Sequence, residues 1–179
     1  MPRRVPPKEG FERLRDAYRA NGERAKARYR SVGALVEGLQ VETQIRQFKL
    51  TMDEKPAVGG GDEGPNPVEV ILSAYGACQE ITYKLYAELM GIPLDGITVE
   101  VVGDIDLCGF FAASEEARPG YSHIATEVTL DSPASDEDLQ RLTQAVHEHC
   151  PVLDIIKNAT PVSFSIRRKD IRSAAAHAL

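Results

Sequence analysis

Residues 64–91 carry a helix signal complete at both ends, and a helix of that length has to be built around. Gly64-Pro65 ends whatever precedes it, Asn66 can serve as N-cap, Pro67 suits the first helical position, and Glu69 stands where it can close a capping box. Gly91 fits the residue just past the last turn and Pro93 blocks continuation, so the helix is expected to run to Met90. In its first turns Val68, Val70, Ile71, Leu72, Ala74, Tyr75, Ala77 and Cys78 are apolar on nearly every side, which marks a helix buried all round at the centre of the fold. Ser73, Ala74, Gly76 and Ala77 are small enough for another helix, or the same helix of a second copy, to approach closely.

The rest of the chain divides around this element. Phe11 to about Tyr29 has good helix formers with Phe11, Leu14, Ala17 and Tyr18 on one stripe, which predicts an amphipathic helical appendage. From about Val36 to Met52, period-2 stretches such as Leu39-Gln40-Val41-Glu42 and Phe48-Lys49-Leu50-Thr51 predict one or two half-buried antiparallel strands, with Gly38 as a break. Residues 54–65 hold too many glycines and prolines for helix or central strand and read as a long, shaped loop. Alternation at Ile97, Val99 and Val101, and again at Ile124, Thr126, Val128 and Leu130, predicts two paired strands after the central helix. Ser135-Asp136-Glu137-Asp138 starts a second helix with Leu139, Leu142 and Val146 on its apolar stripe, ending at Cys150-Pro151. A short apolar segment to Lys157 and a last strand at about Val162–Arg167 complete an α+β order, not a βαβ repeat.

A chain of 179 residues with 42% hydrophobic content can bury one core of ordinary domain size. The boundaries expected are a basic N-terminal extension over 1–32, a domain over 33–170 and a tail over 171–179. Residues 1–30 hold ten Lys/Arg against four Asp/Glu, a net of +6, while the remainder holds eleven against twenty-three, a net of −12. The basic arm interleaves its charges with Glu12, Asp16 and Glu23 and no nucleic-acid motif follows, so a solvated helix packing on the body or on a second subunit is expected instead. No stretch approaches the roughly 20 apolar residues of a membrane span, and the basic start leads into charged sequence, so a cytoplasmic location is expected.

Three cysteines cannot all pair within one chain, and a chain this long needs no disulfide scaffold. Cys78 has Ala74, Tyr75, Ile81 and Thr82 around it on the helix, a mostly apolar face that taken alone describes an inert core thiol. Cys150 precedes Pro151, which suits the first residue of a new helical turn; the thiol would then sit at a helix N-terminus, where partial positive charge favours the thiolate. A plain proline kink accounts for the same two residues. Cys108, between Leu107 and Gly109, has no evident partner and reads as structural or incidental, small apolar filler being the usual role of a free cysteine. His147 and His149 stand two apart on a helix and point to different faces, which argues against a shared metal ion. His149 is either a local base for Cys150 or a solvated helix-end residue.

Taken together, Gly59-Gly60, Gly64-Pro65-Asn66-Pro67-Val68-Glu69, Ala77-Cys78 and Cys150-Pro151-Val152 resemble the OsmC/Ohr family in order and spacing, with Gly103-Asp104-Ile105-Asp106 and Arg118-Pro119-Gly120-Tyr121 fitting its broader OsmC-like branch. The resemblance spans about Val36 to Ile166. It implies antiparallel sheets wrapped around the long central helix that carries Cys78, in an intertwined homodimer with the active site at the subunit interface. It also implies a thiol peroxidase without a bound cofactor or metal: Cys78 is peroxidatic on a small apolar organic hydroperoxide, Cys150 resolves the sulfenic acid to a disulfide, and an external dithiol or lipoyl-type reductant restores both thiols. The family's peroxidase branch pairs an early-strand arginine with a glutamate directly after the helix-start proline. Here that position is Val68 and the glutamate is Glu69, so the candidates for stabilising the Cys78 thiolate are Arg46 and Glu69; Glu69 has a competing role as a capping-box carboxylate. Two other readings keep the fold, a non-enzymatic module binding an apolar ligand and a redox sensor using a reversible Cys78–Cys150 disulfide.

Overall fold

The structure, a computed structural model, describes residues 5–168. Helix α1 spans Pro7–Ala20, strands β1 Val32–Glu37, β2 Gln40–Ile45 and β3 Phe48–Met52 form an antiparallel sheet, and α2 spans Pro67–Met90. Strand β4 Gly96–Ile105 pairs antiparallel with β5 Tyr121–Asp131, the short helix α3 Leu107–Phe110 lies in their connection, and α4 Asp136–His149 runs into α5 Pro151–Lys157. This is the expected α+β architecture of antiparallel sheets and a long helix. The tail over 171–179 lies outside the described residues.

The ends of α2 are where the sequence puts them. Asn66 Oδ1 accepts the Glu69 N–H at 2.9 Å and the Glu69 carboxylate accepts the Asn66 N–H at 2.9 Å, so the capping box is complete; Gly91 closes the helix with φ 68°. One flank of α2 lies on the β4–β5 ribbon. Gly76 faces Val99 and Val101, and a Cβ there would stand 3.5 Å from Val101, so the small residue is used for contact with β4. Tyr121 lies across Gly103 and donates its hydroxyl to the Val68 carbonyl at 2.9 Å, tying the ribbon to the first turn of α2. The other end of the helix enters the core, where Tyr83 and Ala87 meet Ile92, Leu94, Leu142, Val146 and Cys150. Tyr83 donates its hydroxyl to Thr143 Oγ1 at 3.1 Å, which satisfies a polar tip that burial would otherwise strand.

Four expectations are corrected. The N-terminal helix does not reach Tyr29: it starts at Pro7 and stops at Ala20, because Asn21 turns extended and caps a separate single turn over Gly22–Ala25 by accepting the Glu23 N–H at 3.0 Å. The region 32–52 holds three strands, since both Gly38 (φ 52°) and Arg46 (φ 55°) adopt left-handed turns between strands. Residues 162–167 form no strand, and Val162, Phe164 and Ile166 stand 86%, 88% and 89% exposed. Nor is α2 buried all round within one chain: Ile71 and Ile81 remain exposed on the side away from β4.

The 54–65 loop is shaped by Asp53, a buried carboxylate that accepts backbone N–H groups from Glu54 at 2.8 Å, Gly61 at 2.9 Å and Glu63 at 3.3 Å. These bonds, the Glu54 one foremost, hold its carboxyl below the usual range. Gly60 passes so close to the Glu54 carbonyl that a Cβ would fall 1.8 Å from its oxygen, so no other residue fits there without moving the loop. No helix among the described residues is long and apolar enough to cross a membrane.

Candidate active site

Cys78 lies in the fourth turn of α2, and Cys150 stands at the elbow between α4 and α5, extended in backbone, with Pro151 opening α5 as its sequence suggests. Seventy-two residues apart in the chain, the two sulfurs meet: Cys150 Sγ–H donates to Cys78 Sγ at 3.4 Å. Both are free thiols. A disulfide between them would shorten this separation to about 2.05 Å.

The two sulfurs differ in access. Cys150 is 2% exposed, packed in the core with Leu142 and Val146, whereas Cys78 is only half-buried. Burial pushes the Cys150 thiol up, outweighing the α5 backbone N–H groups that favour its anion. The helix-start position therefore does not make Cys150 a thiolate; desolvation wins over a short helix's dipole. Cys150 stays the proton donor, and Cys78 is the sulfur that accepts.

Thr82, read from the sequence only as part of the face around Cys78, and two residues the sequence reading did not single out, Gln79 and Tyr86, lie along α2 from Cys78 onward. Thr82, one turn beyond Cys78, donates its hydroxyl to the Cys78 carbonyl at 2.7 Å. Gln79 is buried, and its side-chain nitrogen has no hydrogen-bond partner among the described residues. Tyr86, two turns beyond Cys78, stacks on His149, the residue before Cys150, with ring centroids 5.2 Å apart and planes 7° apart. The signal that could have found Tyr86 is its i+8 spacing from Cys78.

The other candidates sit elsewhere in the chain. Glu69 is engaged at the start of α2, in the capping box and in an ion pair with Lys55 Nζ at 3.5 Å; nine residues of helix put it about 13 Å along the axis from Cys78. Arg46 lies in the β2–β3 turn rather than on a strand, with its guanidinium over the Phe48 ring at 5.2 Å, and among the described residues no hydrogen bond or ion pair joins it to Cys78. His147 lines an outer cleft beside Glu148 and Lys157 while His149 turns to Tyr86, so the two histidines do part to different faces. Cys108 is exposed in α3 and not core filler; Asp106 accepts its backbone N–H at 2.9 Å and, through hydrogen bonding and charge, pushes its thiol up.

Comparison with known proteins places these features in context. Residues 59–165 match the family described as OsmC-like protein, a stretch that contains both Cys78 and Cys150. No curated protein sequence matches the chain. Among solved structures, an OsmC-like protein from Mycoplasma pneumoniae is 21% identical with a TM-score of 0.65, covering 75% of this chain and 90% of its own. An organic hydroperoxide resistance protein OsmC from Legionella pneumophila is 22% identical with a TM-score of 0.56, covering 74% of this chain and 93% of its own. Another organic hydroperoxide resistance protein, from Elizabethkingia anophelis, is 15% identical with a TM-score of 0.56, covering 75% and 91%.

Proposed function

Because this chain belongs to the OsmC-like protein family, we propose that it is a thiol-dependent peroxidase that reduces organic hydroperoxides to alcohols. The observation that carries the reading is the asymmetric sulfur pair: a reachable Cys78 accepting a hydrogen bond at 3.4 Å from a buried, protonated Cys150. The Cys78 thiolate attacks the distal oxygen of the hydroperoxide, the O–O bond breaks, and the alkoxide leaves as the alcohol after taking a proton. Cys78 is left as a sulfenic acid. The Cys150 sulfur then forms a bond to the Cys78 sulfur, the S–O bond breaks, and the hydroxyl leaves as water with the Cys150 proton. An external dithiol, of the lipoyl type or a similar thiol donor, reduces the disulfide and becomes oxidised itself. The apolar residues lining this part of α2 favour a hydroperoxide with an apolar body.

Intact mass and free-thiol counting after one equivalent of cumene hydroperoxide test the reading. The expected product has lost two hydrogens and fallen from three free thiols to one. An unchanged mass and thiol count would remove the peroxidase and favour an apolar-ligand module; oxidation without turnover in excess dithiol would favour a sensor.

The same reading takes the functional unit to be a homodimer. On the three-stranded sheet, Leu35, Val41 and Met52 stand opposite one another, as do Ile45 and Phe48, forming one apolar face on which Leu35, Ile45 and Phe48 are exposed. The bare side of α2, with Ile71 and Ile81, and the alternating Val162, Phe164 and Ile166 are further apolar surfaces that one chain leaves in water. A second copy matches them with identical surfaces, and it supplies the setting in which Arg46 and Glu69 of one chain could approach Cys78 of another. Sedimentation equilibrium should return twice the 19.6 kDa chain mass. Ile81→Asp, which puts a charge on the bare side of α2, should shift the protein toward the single-chain mass; a wild-type monomer at micromolar concentration would rule the dimer out.

A further inference from the structure

Helix α1 lies outside the matched family region, and aromatic contacts link it to His149, the residue before Cys150. The Arg15 guanidinium sits 5.8 Å from the Phe11 ring centroid, Phe11 meets Tyr86 edge-on at 6.0 Å between centroids, and Tyr86 stacks flat on His149. His149 is the last residue of α4, and the next residue is Cys150. Tyr86 also packs against the buried cluster that holds Cys150. From the α1 side the contact is slight: α1 contributes no buried residue, and its main contact with the body is with α2.

We propose that α1 is a latch on the α4–α5 elbow, with Phe11 and Tyr86 as positioning residues that hold Cys150 at contact distance from Cys78. The elbow needs such a hold. The Cys150 side chain is packed in the core, but its backbone is an extended link into a seven-residue helix that adds no buried residue, so on the α5 side the elbow is anchored through partly buried Leu153. Closing the disulfide shortens the sulfur separation from 3.4 Å to about 2.05 Å, a step whose rate depends steeply on how well the two sulfurs are already placed. The ring faces make the contact, so the proposal asks for a ring at position 86 and not for its hydroxyl.

This rests on Cys78 and Cys150 being a redox pair, but not on hydroperoxide being the natural oxidant, so the test uses diamide. One thiolate adds across the N=N bond, the second displaces the hydrazine nitrogen from the first sulfur, and two thiols become one disulfide while the azo compound takes up two electrons and two protons. Disulfide closure is followed by rapid quench and alkylation on a Cys108→Ser background, which removes the exposed third thiol. Phe11→Ala and Tyr86→Leu should close about 3- to 10-fold more slowly, with alkylation of Cys78 in the reduced protein unchanged, while Phe11→Tyr and Tyr86→Phe close at the starting rate. Equal rates in the parent and Phe11→Ala overturn the latch, as does a Tyr86→Phe as slow as Tyr86→Leu. A parent protein that closes with diamide but consumes no hydroperoxide removes the peroxidase and leaves the latch standing; one that forms no Cys78–Cys150 disulfide at all removes both.

Discussion

Cys78→Ser is expected to lower hydroperoxide consumption to the uncatalysed background, a loss of at least about 10³-fold, the scale on which removing a covalent nucleophile acts. Serine keeps the shape but its hydroxyl is not ionised at neutral pH, so nothing attacks the distal oxygen. Cys150 does not take over, because it is 2% exposed and burial keeps its thiol protonated. Cys150→Ser should behave differently: without reductant, and supplied with one equivalent of peroxide per chain, it still consumes that equivalent. Its product carries one added oxygen, trappable as a sulfenic acid by a 1,3-diketone, where the wild type shows a loss of two hydrogens. Over-oxidation to the sulfinic acid should follow in excess peroxide, since no resolving sulfur intercepts the intermediate. Peroxide consumption measured with a ferrous dye and mass spectrometry of both variants checks the pair. Consumption that survives in Cys78→Ser and disappears in Cys150→Ser would reverse the assignment.

Features announced by a local motif are the ones that could be read from the chain, and the misses depend either on partners far away in sequence or, as at Asn21 and Arg46, on a local turn. The start and end of α2 follow from a capping box and a left-handed glycine, both local, and the structure has them at Asn66 and Gly91. The β4–β5 pairing follows from two alternating runs of matching length. By contrast, alternation at Val162, Phe164 and Ile166 could show only that the segment suits a strand; a strand also needs an edge to pair with, and within the described chain these residues have none. Alternation on either side of Arg46 predicts a strand there, yet the chain reverses through a left-handed non-glycine residue that no turn motif announces. At Cys150 the local cue pointed to a thiolate, and tertiary burial from Leu142 and Val146 decided the opposite. The cysteine pair was legible through motif order alone; its 3.4 Å separation depends on α4 folding back onto α2, which no short window of sequence encodes.

That fold-back sets the second large effect. Leu142→Ala is expected to destabilise the reduced protein by about 2–5 kcal/mol, because Leu142 is 0% exposed and lies between Tyr83 and Ala87 of α2 and the Val146–Cys150 end of α4. At roughly 2–4 °C per kcal/mol for a chain of this size, the melting temperature should fall by on the order of 10 °C. Leu142 is covered by its own chain, so this loss should come without the change in sedimenting mass expected of Ile81→Asp. Oxidation should then recover much of it. A Cys78–Cys150 bond closes a loop of 72 residues and on the chain-entropy account stabilises by on the order of 4 kcal/mol, comparable to the cavity cost. Calorimetry of the reduced and diamide-oxidised variant, each beside the wild type, measures both terms. If oxidation leaves the melting temperature of Leu142→Ala unchanged, either the bond does not form in the weakened core or its strain cancels the entropy gain, and free-thiol counting of the same sample separates the two.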